Sequence, residues 1–224
     1  MTFLPAIIRQ GCFFGVILAL LVACLPRHNP SYPPQDVTIG ERLLNETFTH
    51  IGTWSRYQTD EYSATIMQGG YQLLLNVQGQ YIWGSDGTLY TDTVLDIDVH
   101  WSDQGTDAIA GVICRLHPDD GRGYYVVVSE SGAFSIRYIA HNTDDALVHW
   151  QSHENIPQTG AFQMRVICVE DEIALYINGR YIDGVRDRRL RDGQIGLALG
   201  MPMQARGSAL VTFDNLRVWR GNLP

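Results

Sequence analysis

From about residue 39 onward the chain alternates apolar and polar residues in short runs. Leu95-Asp96-Ile97-Asp98-Val99-His100 has the period of two that a half-buried strand requires. Tyr124–Ser129 and Phe134–Ile139 are β-rich runs split by Glu130-Ser131-Gly132, which predicts a hairpin loop. Phe162, Met164, Val166 and Cys168 alternate with Gln163, Arg165 and Ile167, and Glu170-Asp171-Glu172 turns the chain into Ile173–Ile177. Asn178-Gly179 tolerates positive φ at both positions and predicts a tight hairpin into Arg180–Val185. Gln194–Leu199 and Leu210–Trp219 complete the series. Runs recurring every ~8–12 residues, with no long helical period, predict an all-β sandwich or barrel. A short helical turn is expected around Asp187–Leu190.

The N-terminal pattern is different. Arg9 precedes the apolar run Gly11–Val22, which ends in Leu21-Val22-Ala23-Cys24. The order of charge, apolar run and small residue before a cysteine resembles a bacterial lipoprotein signal over residues 1–24. From Gly11 to Leu25 there are about 15 residues, short of the ~20 that span a bilayer. The resemblance implies removal of residues 1–23 and lipidation of the Cys24 sulfur. Residues 24–41 hold four of the nine prolines and read as an extended tether, leaving 42–221 as the folded domain. The expected location is the bacterial cell envelope, facing outside the cytoplasm.

Composition narrows the partners. The net charge is −8 and no basic run occurs, which argues against nucleic acid and leaves the N-terminal lipid as the sole membrane contact. Outside the cytoplasm, Cys114 and Cys168 can oxidise. A bridge needs neighbouring strands with Cα atoms about 5.5 Å apart, so the sequence leaves open either a disulfide or two small buried hydrophobes.

Several segments carry a family resemblance. They are Asn178-Gly179-Arg180-Tyr181-Ile182, Asp187, Asp192-Gly193-Gln194-Ile195-Gly196-Leu197 and Val211-Thr212-Phe213-Asp214-Asn215-Leu216-Arg217-Val218. Upstream, Phe48 to Trp54, Gly111-Val112-Ile113-Cys114-Arg115 and Tyr124-Tyr125-Val126-Val127-Val128 fit the same order. Together they resemble concanavalin A-like lectin/glucanase domains, closest to the laminin-G-like and 3-keto-disaccharide hydrolase-like branches, over most of Leu43–Trp219. The resemblance implies a two-sheet antiparallel jelly roll with one concave sheet, and carbohydrate bound on that face or its rim.

Three sets of residues offer chemistry. Asp96, Asp98 and His100 project from one side of a strand, with the two Asp Cα atoms about 6.7 Å apart. Paired carboxylates near that spacing suit a glycosidase. The same strand resembles the catalytic strand of laminarinase-type glucanases, but Asp96 and His100 stand where that strand carries glutamates. A ligand face could instead combine Asp96, Asp98, His100, Arg115, Tyr125 and Tyr176 with Trp101 and Trp150 as platforms, since sugar sites pair flat aromatic surface with polar hydrogen-bonding groups. Trp54, Trp83 and Trp219 read as core or sheet-closing residues. Glu46 and Asp214, near the first and last strands, are candidate ligands for a structural calcium. No Gly-x-Ser-x-Gly, His-Glu-x-x-His, phosphate loop or Cys-x-x-Cys is present. The sequence therefore points first to a lipid-anchored, non-catalytic module binding carbohydrate or another envelope ligand. One alternative is a hydrolase of glycosides or 3-keto-glycosides using Asp96 and Asp98. The other is an adhesive or structural module with a protein partner.

Overall fold

A computed structural model describes residues 36–224 except 51, 103, 104 and 142. The signal segment, Cys24 and most of the tether lie outside the described residues. Among those described there is no helix. The strands in chain order are β1 (Thr38–Glu46), β2 (Tyr57–Gln58), β3 (Tyr62–Met67), β4 (Gly70–Leu75), β5 (Gln80–Ser85), β6 (Thr93–Trp101), β7 (Ile109–His117) and β8 (Arg122–Ser129). They continue with β9 (Ala133–Ala140), β10 (Thr143–Ser152), β11 (Ala161–Val169), β12 (Glu172–Ile177), β13 (Arg180–Arg186), β14 (Gln194–Met201) and β15 (Ala209–Asn222).

Nine strands form one antiparallel sheet, ordered β13-β12-β11-β6-β15-β4-β3-β2, with β1 on the second half of β15. The other six are ordered β10-β9-β8-β7-β14-β5. The long β15 pairs with β6 along one edge and with β4 and then β1 along the other, and a bulge at Asn215, whose φ is 52°, interrupts its ladder with β6 where β4 gives way to β1. β1 begins at Thr38, paired with Asn222, so the sheet takes in residues assigned above to the tether.

The core lies between the sheets. Leu95, Ile97, Val99 and Trp101 of β6, with Met164, Val166, Leu73, Val211 and Phe213 beside them, face Val112, Val126, Val128, Ile136, Leu197 and Leu199. Each fully buried aliphatic side chain contributes roughly 1.5–3 kcal/mol. Cys114 of β7 and Cys168 of β11 are joined by a disulfide across this core, with Cα atoms 6.7 Å apart. One side of the sandwich is closed where Gln151 Nε2 of β10 donates to Asp183 Oδ2 of β13 (3.1 Å). The other closes where Tyr57 Oη donates to Trp83 O (2.7 Å) and Tyr71 Oη donates to Ser55 O (2.7 Å).

The segment from Asp187 to Leu190 is irregular rather than a helical turn. Its backbone bonds are taken by other elements: Leu190 N–H donates to Tyr124 Oη (3.0 Å), and Leu190 O accepts from Arg115 Nη1 (2.8 Å).

Candidate binding site

The sandwich separates the residues singled out in the sequence. Asp96, Asp98, His100 and Tyr176 lie on the outer side of the nine-stranded sheet. Tyr125 lies on the outer side of the six-stranded one, and Arg115 and Trp101 lie in the interior. They do not form one site.

Asp96 is 4 % exposed and accepts two bonds from Arg165, Nε at 2.6 Å and Nη2 at 2.9 Å. The pairing holds the Arg165 guanidinium above its usual range, chiefly through that hydrogen bond. A carboxylate so engaged is a cross-strand clamp, not a free acid. Asp98 is half-buried, and its Cα partner across the ladder is Asp214. Asn215 Nδ2 bridges them, donating to Asp98 Oδ2 (3.0 Å) and Asp214 Oδ2 (3.3 Å). This cluster and His100 line a shallow hollow of about 250 Å³.

Arg115 corrects its sequence reading. Its φ of 54° sits in a register shift between Cys114 and His117 and turns the side chain inward. The guanidinium is buried on Thr91 O, Leu190 O and Asp92, and burial lowers its pKa. Trp101 is fully buried, with Nε1 donating to Pro157 O (3.3 Å), so it is no platform. Glu46 accepts Phe48 N–H (2.7 Å), and Asp214 accepts Asn215 N–H (2.6 Å), so both carboxylates hold local turns. Among the described residues no three His, Cys, Asp or Glu side chains are grouped to hold a metal ion.

The outer face of the six-stranded sheet is built differently. Its outward residues Ile113, Tyr125, Val127 and Ala198 are at most 3 % exposed although no strand among the described residues lies over them. Such burial on an outer face means that the flanking side chains rise around a sunken floor. Small residues make the floor possible. Gly200 and Ala198 of β14 pair with Tyr81 and Trp83 of β5, and a Cβ on Gly200 would meet the Tyr81 ring. Tyr81 and Trp83 thus lie over β14 as one wall. Arg137 of β9, donating through Nε to Asp144 Oδ1 of β10 (2.6 Å), stands on the other side. Burial raises the Tyr81 hydroxyl pKa, while Arg137 and Asp144 act on it electrostatically with opposite signs. Tyr125 lies on the floor with its hydroxyl on Gly121 O (2.8 Å), and burial raises its pKa well above the usual tyrosine range.

One hollow opens at an end of this face, and a second lies at the sheet's β5 edge, against β2 and β3 of the other sheet. The first, of about 320 Å³, is lined by Asp107, Ile109, Ser129, Ser131, Ala133, Trp150, Pro202 and Gln204. The other, of about 520 Å³, is lined by Ser55, Tyr57, Thr59, Tyr62 and Gln80–Trp83. Trp150 is 39 % exposed, Tyr81 42 % and Met203 78 %. Met203, between Pro202 and Gln204, packs its sulfur toward Gly79, next to Gln80, and so lies between the hollows.

Asp107 is held in place from behind. Its φ is 58°, a conformation that Asp tolerates better than most residues. Glu130, in the β8–β9 hairpin, accepts three bonds through Oε2 from Thr106 N (2.8 Å), Thr106 Oγ1 (3.0 Å) and Ala108 N (3.2 Å). The residues on either side of Asp107 are thus pinned to one buried carboxylate.

Trp150, expected as a platform from its place late in a strand, is exposed in the 320 Å³ hollow. Tyr81 went unread, and Trp83 read as core. Their shared parity on β5 opposite Gly200 and Ala198 was the available signal, but it depends on a strand pairing that the sequence does not state.

No protein-family model matches the chain, and no curated protein matches its sequence. Solved structures do match. The carbohydrate binding module CBM66 of Bacillus subtilis is 16 % identical, with TM-score 0.59 over 75 % of this chain and 96 % of that one. A Bacillus subtilis protein of unknown function with a galectin-like fold is 11 % identical, with TM-score 0.64 over 84 % and 100 %. Bacillus licheniformis beta-glucanase is 10 % identical, with TM-score 0.59 over 82 % and 99 %. The fold is that of the concanavalin A-like jelly-roll sandwiches.

Proposed function

We propose that this protein is a carbohydrate-binding module whose ligand lies on the outer face of the six-stranded sheet, and that Cys24 carries lipid anchoring it in the cell envelope. The observation that carries the binding assignment is a row of exposed apolar side chains across the sheet: Trp150 in the hollow toward its β10 edge, Tyr81 in the hollow at its β5 edge, and Met203 between them, next to Pro202 and Gln204 of the first hollow and against Gly79 beside the second. They are three of the six exposed large hydrophobic side chains among the described residues, and exposed apolar surface concentrated on one side of a domain marks a binding site. An indole or phenol ring offers a flat apolar surface to the C–H face of a sugar, and Ser129, Ser131, Gln204 and Thr59 offer partners to its hydroxyls. That several structurally similar proteins bind or cleave glycans supports the same reading.

A binding rather than hydrolytic role is favoured by the carboxylates. Glycoside hydrolysis uses two of them flanking one bond. The two hollows hold one, Asp107; Asp96 is committed to Arg165, and Asp98 and Asp214, in the shallow hollow of the other sheet, are bridged by Asn215. The test is affinity electrophoresis and titration calorimetry against soluble polysaccharides. Trp150→Ala should weaken binding by about tenfold or more, given what a stacked aromatic ring contributes. Tyr81→Ala should also weaken it, and Asp98→Ala should leave it unchanged. Full affinity in the Trp150→Ala protein would remove this face from consideration.

A further inference from the structure

We infer that the face selects uncharged glycans and rejects those bearing carboxylate or sulfate groups; this rests on the carbohydrate-binding reading above. The 520 Å³ hollow is lined by Ser55, Thr59 and Gln80 and by the rings of Tyr57, Tyr62, Tyr81 and Trp83, with Ile82, so it carries no charge. The 320 Å³ hollow carries one, the exposed carboxylate of Asp107. Behind it sits a second carboxylate, Glu130, whose three bonds fix the loop without neutralising it.

Among the described residues, the cation that acts on Tyr81 is already matched. Arg137 donates to Asp144 Oδ1 at 2.6 Å and to Ser135 Oγ at 3.3 Å, and its side chain is only 15 % exposed. Asp120, which also acts electrostatically on Tyr125, is flanked by Arg122 (3.7 Å) and His141 (3.9 Å). The two arginines nearest the hollows along the chain, Arg56 and Arg206, belong to neither lining. An acidic sugar would give up hydration of its charge and meet Asp107 instead of a guanidinium. A neutral sugar loses nothing comparable, and Asp107 can accept its hydroxyl hydrogens.

The test uses matched polymers. Laminarin, galactomannan, dextran and inulin are compared with polygalacturonate, alginate and chondroitin sulfate by titration calorimetry. The neutral polymer that binds best is then offered in carboxymethylated and hydroxyethylated forms, which add similar bulk with and without charge. Carboxymethylation should weaken binding several-fold more than hydroxyethylation, and Asp107→Asn should shrink that difference. Neutral-polymer binding should change little up to about 0.5 M salt, where exposed charge interactions are screened. Preference for an acidic polymer, with affinity falling as salt rises, would overturn the selectivity and leave the binding face standing. A carboxymethyl penalty unchanged in Asp107→Asn would also overturn it. Failure of every polymer, neutral and acidic, would overturn the carbohydrate reading itself.

Discussion

Asp96 shows how a catalytic-looking residue can be a structural one. Alternation along β6 places it outward with Asp98 and His100, and the structure agrees. What the sequence does not contain is the register that sets Arg165 of β11 directly opposite. With its partner present, the nearly buried carboxylate is satisfied twice. Arg165→Ala would strand it, and leaving a buried charge unpaired is more costly than the pair is favourable. Because Arg165 itself is partly exposed, a loss of about 2 kcal/mol is expected in urea unfolding. Polysaccharide affinity should not move, since this clamp and the binding face are on opposite sides. Trp101 carries the complementary lesson. It shares parity with Leu95, Ile97 and Val99, so the same alternation already places it inward. Arg115 could not be placed that way, because its left-handed φ breaks the alternation at one residue.

At the scale of elements, hairpins and strands were legible and their neighbours were not. Glu130-Ser131-Gly132 and Asn178-Gly179 form the turns that they predict, because turn chemistry is local. Sheet membership is not local. β6 joins one sheet, while β7 and β8 join the other, so Asp98 and Tyr125 end up back to back across two layers. The disulfide ties the layers together and closes a separation of 54 residues. Chain-entropy reasoning gives such a crosslink about 4 kcal/mol. A fall in Tm of roughly 10 °C is expected in the Cys114→Ala/Cys168→Ala protein, measured by calorimetry. The β13–β14 connection depends on charge instead. Burial pushes the Asp187 carboxyl up, but bonds from Arg189 and from Tyr124 Oη (2.6 Å) outweigh it, and its pKa is net lowered. Arg189 also reaches Asp145 (2.6 Å) and stacks 4.0 Å over Tyr138. A carboxyl with a depressed folded pKa stabilises the fold above its unfolded value, about pH 4, and loses that contribution as pH falls through the folded value. Asp187→Asn should therefore lower stability at neutral pH and flatten its decline from about pH 4 downward, read from urea midpoints at each pH.

For the whole molecule, the two outer faces are built differently, and the position where the chain enters bears on how they would be presented. Val37 packs with Val94 and Ile167 on the outer side of the nine-stranded sheet, and Asp36 and Ile39 line a hollow there with Arg165 and Tyr176. The chain therefore reaches the domain on the face opposite Trp150 and Tyr81. Twelve steps along the chain separate Cys24 from Asp36, a reach of at most about 40 Å. That is comparable to the thickness of two stacked sheets with their side chains, where the layers alone are ~10 Å apart. The proposed anchor, attached there through so short a reach, would leave the aromatic face free for the proposed ligand on the far side. Protein carrying lipid at Cys24 on vesicles should then bind a soluble polysaccharide with the same Kd as the unanchored domain, measured on captured vesicles by surface plasmon resonance. A biotin placed at Ser131→Cys should stay open to streptavidin after vesicle binding, and one at Tyr181→Cys should be partly shielded. Loss of polysaccharide binding on anchoring, or shielding of the first biotin and not the second, would turn the molecule over and set the aromatic face against the bilayer.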